Sequence, residues 1–240
     1  LCYIDIAYNF DNIHCRKRFR KMKESKKKII QTAIDLFNQH GVGNVRVHDI
    51  AAAAHISPGN LTYHFSTKKA LMEAVYDYMK QCLEGMTLEN SHLEVAFDAL
   101  SITRDYLRFQ IQFRFFYRDT LEIMKLFPDI RQAYKKRIQN VISFNRNVID
   151  LAVEQGYMRT ESHQGQYDIL ARNAWAVLNS WLIESEIMNT DVQEGIRASL
   201  ELHYPHFTPK GQTFYYKMID LLPGLVAAES DIKSSFEDDE

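Results

Sequence analysis

The amino-acid sequence predicts an all-α protein, with a small helical head followed by a larger helical part. Three observations carry this reading. With 9 Gly and 5 Pro in 240 residues, the chain has too few turn formers for a turn-dense β architecture. Apolar residues recur at helical spacing from Ser25 onward. Beyond Lys68 the chain reads helical almost throughout, with breaks near Asn90-Ser91, Pro128, Gly156, Gly165, Pro205, Pro209-Lys210-Gly211 and Pro223-Gly224.

Composition removes several other classes. A content of 46% hydrophobic and 25% charged residues is globular and excludes wholesale disorder. No apolar run approaches the roughly 18 residues of a membrane span. Cys2, Cys15 and Cys82 stand at unrelated spacings, which make neither a disulfide framework nor a zinc knuckle. No secretory signal is visible, so the reducing cytoplasm is the expected compartment. The net charge of -2 conceals an uneven split. Residues 1–70 hold 12 Lys+Arg against 5 Asp+Glu, a surplus of +7, and residues 71–240 hold 17 against 26, or -9. Such a split suits a polyanion-binding end joined to a part with another task, or a solvated basic face.

The first 21 residues, with no clear helical period in LCYIDIAYNF and a basic run at 16–21, are expected to be a loose or artefactual extension. The alternative is a basic arm that follows DNA phosphates. Without them, positions 22–70 still carry 7 Lys+Arg against 3 Asp+Glu.

In the head, Ile29, Ala33, Leu36 and Phe37 form one face of a first helix, with Ser25 expected to cap its start and Gly41 to end it. Val47, Ile50, Ala51 and Ala54 mark a second helix, whose alanines let another helix cross closely. After the turn at His55-Ile56, Ser57-Pro58 is a strong helix start: the hydroxyl caps free amides, and proline loses nothing at the first position. In PGNLTYHF, Leu61 and Phe65 point inward together and leave Asn60, Thr62, Tyr63 and His64 for the outer surface. In a major groove, Asn60 and Thr62 could meet base edges while Tyr63 and His64 reach phosphate. Thr67 caps a further helix whose first residue, Lys68, sets an ammonium beside free amides, an arrangement an anion would relieve.

The segments KKIIQTAIDLFNQHG and DIAAAAHISPGNLTYHFSTKKAL together resemble the DNA-binding head of tetracycline-repressor-type (TetR-like) regulators, over about fifty residues. The resemblance implies a three-helix head with a helix-turn-helix at 22–70 and a helical effector-binding and dimerisation domain at 71–226. It implies release from a palindromic operator when a small molecule binds. By position, Tyr63 and His64 match the recognition helix, and Lys68 matches a phosphate-contacting lysine. Arg46 stands where the family usually has a capping threonine, and with His48 it is placed on the DNA side. His55 replaces a turn glycine and must adopt a glycine-like conformation.

In the larger part, residues 92–118 are expected to form one central helix with stripes Tyr106, Phe109, Phe113, Phe116 and Leu107, Ile111, Phe115. These stripes read as core, or as the wall of an effector cavity lined by Tyr106, Phe109, Phe113 and Trp175, with Gln110 and Gln112 offering hydrogen bonds. A helix over 129–157 carries a basic patch at Arg131, Lys135, Lys136 and Arg137, expected to be a solvated face. A helix over 167–187 presents Trp175, Leu178, Trp181 and Leu182. With the helix from Val192 onward it resembles the family's dimer-forming pair, the alternative being an intrachain seam. Residues 227–240 form an acidic tail.

Enzyme readings fare poorly. The nine His are scattered, His203 and His206 have a proline between them, and there is no glycine-rich phosphate loop or serine elbow. No cofactor or metal is expected. The sequence therefore points to a DNA-binding repressor, a homodimer relieved by an apolar or aromatic effector. Its rivals are a regulator answering to a protein partner, and a helical enzyme or binding module that never meets DNA.

Overall fold

In a computed structural model the described residues are 22–84, 95–191 and 194–220, with side chains from 104 onward in the second stretch and up to 83 in the first. The expected features at 1–21, at Asn90-Ser91 and beyond 220 lie outside them. Among the described residues the secondary structure is helical, joined by one isolated bridge between Met158 and Phe207. Ten helices run α1 Glu24–His40, α2 Val47–Ala53, α3 Pro58–His64, α4 Lys68–Glu84, α5 Val95–Gln112, α6 Arg114–Arg118, α7 Thr120–Leu126, α8 Pro128–Glu154, α9 Gln166–Met188 and α10 Glu194–His203. A 3₁₀ turn at Tyr204–His206 and a helical stretch over 209–220 follow. Two compact units emerge among these residues: 22–84 with Asp105–Lys135, and 95–104 with 136–191 and 194–220.

The first unit is organised around α1, which packs on α2, α4 and α6, while α2 packs on α3. Ile29, Ile30, Ala33, Ile34 and Phe37 of α1 are buried, as are Ile50 and Ala51 of α2, Leu61 of α3 and Leu71, Met72 and Val75 of α4. Each large side chain so buried contributes about 1.5–3 kcal/mol relative to exposure. Ser25 is not the cap of α1; the helix already begins at Glu24, and Lys23 precedes it without a side-chain cap. Gly41 closes α1 with φ 79° and ψ 155°, a region essentially restricted to glycine. His55 has φ 54°, as its place in the helix-turn-helix requires.

The expected single helix over 92–118 is interrupted. α5 ends at Gln112, Phe113 takes φ -113° and ψ 35°, and α6 begins at Arg114. The cause lies far away in sequence. The Asn38 side-chain amide donates to the Gln112 carbonyl at 2.9 Å, and its oxygen accepts from the Phe115 N–H at 3.0 Å. One side chain thus takes over a carbonyl and an amide that a continuous helix would have paired internally. The rings of this segment are well packed: Phe109 on Phe113 at 4.7 Å, Tyr78 on Phe113 at 5.8 Å, Phe37 on Phe115 at 5.4 Å and Phe116 on Tyr134 at 5.0 Å.

The second unit has its own core of Ile149, Met158, Tyr167, Leu170, Ala171, Phe207 and Tyr215. Here Arg146 ties three carboxylates together, pairing with Asp150, Glu161 and Asp168 at 3.0–3.4 Å. α9 packs on α10, and Gly195 permits the contact: a Cβ there would stand 2.6 Å from the Trp181 ring.

Candidate nucleic-acid interface

α3 is short and sharply defined. The Ser57 hydroxyl accepts from the Asn60 N–H at 3.1 Å, and Pro58 fills the first helical position. Leu61 is fully buried and Phe65, just past the helix, is nearly so. Asn60, Thr62 and Tyr63 are exposed, Tyr63 at 82%, while His64 is half-buried with its ring 5.3 Å from that of Tyr63. The Thr62 hydroxyl donates to the Pro58 carbonyl at 2.9 Å, so its proton is already engaged. A tyrosine so exposed, on a helix held by one buried leucine and a cap, contributes little to the chain's own packing.

Arg46 and His48 are both exposed at the start of α2. Arg46 precedes α2, but its guanidinium has no acceptor and caps nothing. The capping is supplied from the other side, since the Asp49 carboxylate accepts from the Arg46 N–H at 2.7 Å. The other Asp49 oxygen lies 3.1 Å from His48 Nε2. The threonine-like role is thus gone, and the Arg46 side chain is left on the surface.

Lys68 opens α4 behind Thr67, whose hydroxyl accepts from the Ala70 N–H at 3.1 Å. Its ammonium does not depend on an external anion for relief. It donates to the Val42 carbonyl at 2.5 Å, in the turn between α1 and α2. Burial draws its pKa below the ordinary lysine value, and the Glu122 and Asp49 carboxylates pull it back up. Lys69, by contrast, is engaged with Asp129 at 2.9 Å and Glu73 at 3.6 Å. Two residues of this region carried no sequence signal. Asp119 accepts from the Val42 N–H at 2.7 Å, and Asn38 holds the α5–α6 break.

Of the expected effector wall, Tyr106, Phe109 and Phe113 come together, with Tyr106 half-buried and the two phenylalanines buried. Trp175 belongs to the second unit and is half-buried there. Among the expected dimer residues, Trp175, Leu178 and Trp181 are half-buried, but Leu182 is 3% exposed and is part of the chain's own core. The exposed stripe of α9 runs instead through Ile169, Asn173, Ala176, Ser180 and Ile187, which share one face by helical spacing.

Two family models match the chain. One, described as "Bacterial regulatory proteins, tetR family", covers residues 29–75, and the other, "Bacterial transcriptional repressor", covers residues 77–215. The chain belongs to the tetR family. It is similar to the HTH-type transcriptional regulator RutR of Escherichia coli K12, 32% identical over 96 residues that make up 40% of this chain and 44% of that protein. The chain thus spans less than half the length of that curated relative. A tetR-family regulator from Marinobacter aquaeolei VT8 has the same fold, with a TM-score of 0.73 at 22% identity over 85% of this chain and 98% of that one. CprB of Streptomyces coelicolor, solved in complex with its biological operator sequence, shares the fold at a TM-score of 0.64 and 16% identity, over 84% of this chain and 96% of that one. In this tetR-family chain the helix-turn-helix is α2–α3, inside the first matched segment. Among the described residues no helix is long and apolar enough to cross a membrane.

Proposed function

We propose that this chain is a sequence-specific DNA-binding regulator of transcription, a repressor that leaves its operator when a small apolar or aromatic effector binds. The observation that carries the reading is the outer face of α3, where Asn60, Thr62 and the 82%-exposed Tyr63 stand on a two-turn helix that buries only Leu61. In this reading α3 enters the major groove, Asn60 and Thr62 meet base edges, and Tyr63, His64, Arg46, His48 and Lys68 hold phosphates. The basic excess over positions 22–70 supplies the sequence-independent part of the affinity. Tetr-family membership and the likeness to RutR support the same reading.

The effector site is proposed beside Tyr106, Phe109 and Phe113. Gln112 supports it, because its side-chain oxygen is buried without a hydrogen-bond partner and calls for a donor. The homodimer is proposed to form through α9 and α10, with Ile169, Ala176 and Ile187 in contact, flanked by Trp175, Leu178 and Trp181. One two-turn helix touches few base pairs, and a two-fold pair reading half-sites about 34 Å apart supplies the missing selectivity. The protein acts by binding rather than catalysis, in the cytoplasm where its DNA lies.

Titration of labelled duplex DNA with the full chain in rising salt tests the proposal. The expected outcome is tight binding whose logarithm falls linearly with the logarithm of salt concentration. Absence of salt-dependent binding would return the chain to the class of helical modules that do not meet DNA.

A further inference from the structure

Asp119 stands where an aspartate ordinarily caps a helix, directly before α7, yet its carboxylate makes no cap bond to that helix. It turns outward to the Val42 N–H, 77 residues earlier in the chain, at 2.7 Å. The carbonyl of the same residue accepts from Lys68 Nζ at 2.5 Å. Val42 is fully buried between Gly41 and Gly43, and glycine is needed at position 41 for its left-handed conformation. A Cβ on Gly41, where φ is 79°, would sit 3.1 Å from the Asp119 carboxylate, and one on Gly43 would collide with the carboxylate of Glu122. The turn between α1 and α2 is thus pressed onto two acidic side chains of the α6–α7 segment. Asn38, at the end of α1, clasps the α5–α6 break just before it, and the Arg118 guanidinium donates to the Asn38 carbonyl.

We infer that Asp119 is a positioning residue for the DNA contact of Lys68: by fixing the Val42 N–H it fixes the Val42 carbonyl that aims the ammonium at phosphate. This rests on the reading of Lys68 as a phosphate contact. Two peptide groups flanking one Cα carry the coupling. Val42 is fully buried and its N–H is held, so only rotation about its own φ and ψ is left to displace its carbonyl and the lysine head that docks there. A lysine has three donors, and one held by Val42 leaves two for a phosphate oxygen. The arrangement lowers the entropy lost when the long side chain meets DNA, because one orientation is selected beforehand. It also makes the junction of α6 and α7, between the aromatic segment and the head, a point from which the grip on DNA is set.

A purely structural role for Asp119 would lower stability without involving Lys68. A double-mutant cycle separates the two roles, with a duplex enriched by the full chain from a random-sequence library as the probe. Asp119→Ala is expected to weaken binding about five- to tenfold and to reduce the salt slope by about one unit, as Lys68→Ala does. The double variant should bind no more weakly than Lys68→Ala alone. Asp119→Asn should restore both affinity and slope, because its amide oxygen can still accept from the Val42 N–H. If Asp119→Ala loses its helical circular dichroism, Asp119→Glu takes its place, since an extra methylene displaces the turn and should cost affinity only while Lys68 is present. Additive losses in the double variant, or an unchanged salt slope on substituting Asp119, would overturn the inference while leaving the phosphate role of Lys68 intact. No effect of Lys68→Ala itself would overturn both.

Discussion

Tyr63 and Asn60 sit on the same short helix and are assigned different work. Tyr63 offers one hydroxyl at the end of a long side chain, suited to a phosphate oxygen that every sequence presents. Asn60 has a paired donor and acceptor that match an adenine edge. Tyr63→Ala is therefore expected to weaken binding about tenfold across all duplexes, since it removes a positioning contact. Asn60→Ala should instead flatten preference at one base position, with a loss of about 1–3 kcal/mol in discrimination. Competition between enriched and scrambled duplexes measures both, and a sequence-selective defect in Tyr63→Ala would reverse the two assignments. Thr62 can offer a base only its lone pairs and methyl, because its proton is held by the Pro58 carbonyl.

Helix by helix, local rules account for much of the head and fail where distant residues intervene. Ser57-Pro58 and Thr67 announce α3 and α4 from sequence alone, and both caps are present. The break at Phe113 is not legible, since the residue that makes it, Asn38, lies 74 positions from Gln112. Asp119 is not legible for the same reason, since its partner Val42 lies 77 positions away. Leu182, expected at a dimer face, is buried in the chain itself, because both faces of α9 carry apolar residues and periodicity alone does not say which face turns inward. The end of α10 carries a pH dependence. His203 donates from Nδ1 to the Ser199 carbonyl at 2.8 Å, and burial, offset in part by that bond and reinforced by His206, pushes its pKa below the ordinary 6.5. The unfolded chain therefore binds a proton that the folded chain refuses, so stability is complete above about pH 6.5 and falls as pH drops below it. His206 is lowered as well, by burial and Arg159, and acts in the same direction. The melting temperature of His203→Gln should decline less between pH 7 and pH 5 than that of the parent chain. Parallel declines would show that His203 is not the titrating group.

For the molecule as a whole, charge and symmetry act together. In the proposed function, the basic excess at positions 1–70 draws that end toward the polyanion, while the acidic excess of the remainder is repelled by it. Ile187, 72% exposed, and Ile169, 58% exposed, lie on the α9 face assigned to the second copy. Ile187→Asp should therefore sediment as a monomer at micromolar concentration, where the parent chain sediments as a dimer. A monomer cannot present two recognition helices at fixed spacing, so its selective binding should fall with its self-association. Whether two α3 helices read an operator together is decided by sequencing the duplexes that the full chain enriches from a random library. The predicted result is a two-fold symmetric motif with half-site centres about one or two helical turns apart. Recovery of no enriched motif, or of a single unpaired half-site, would contradict it.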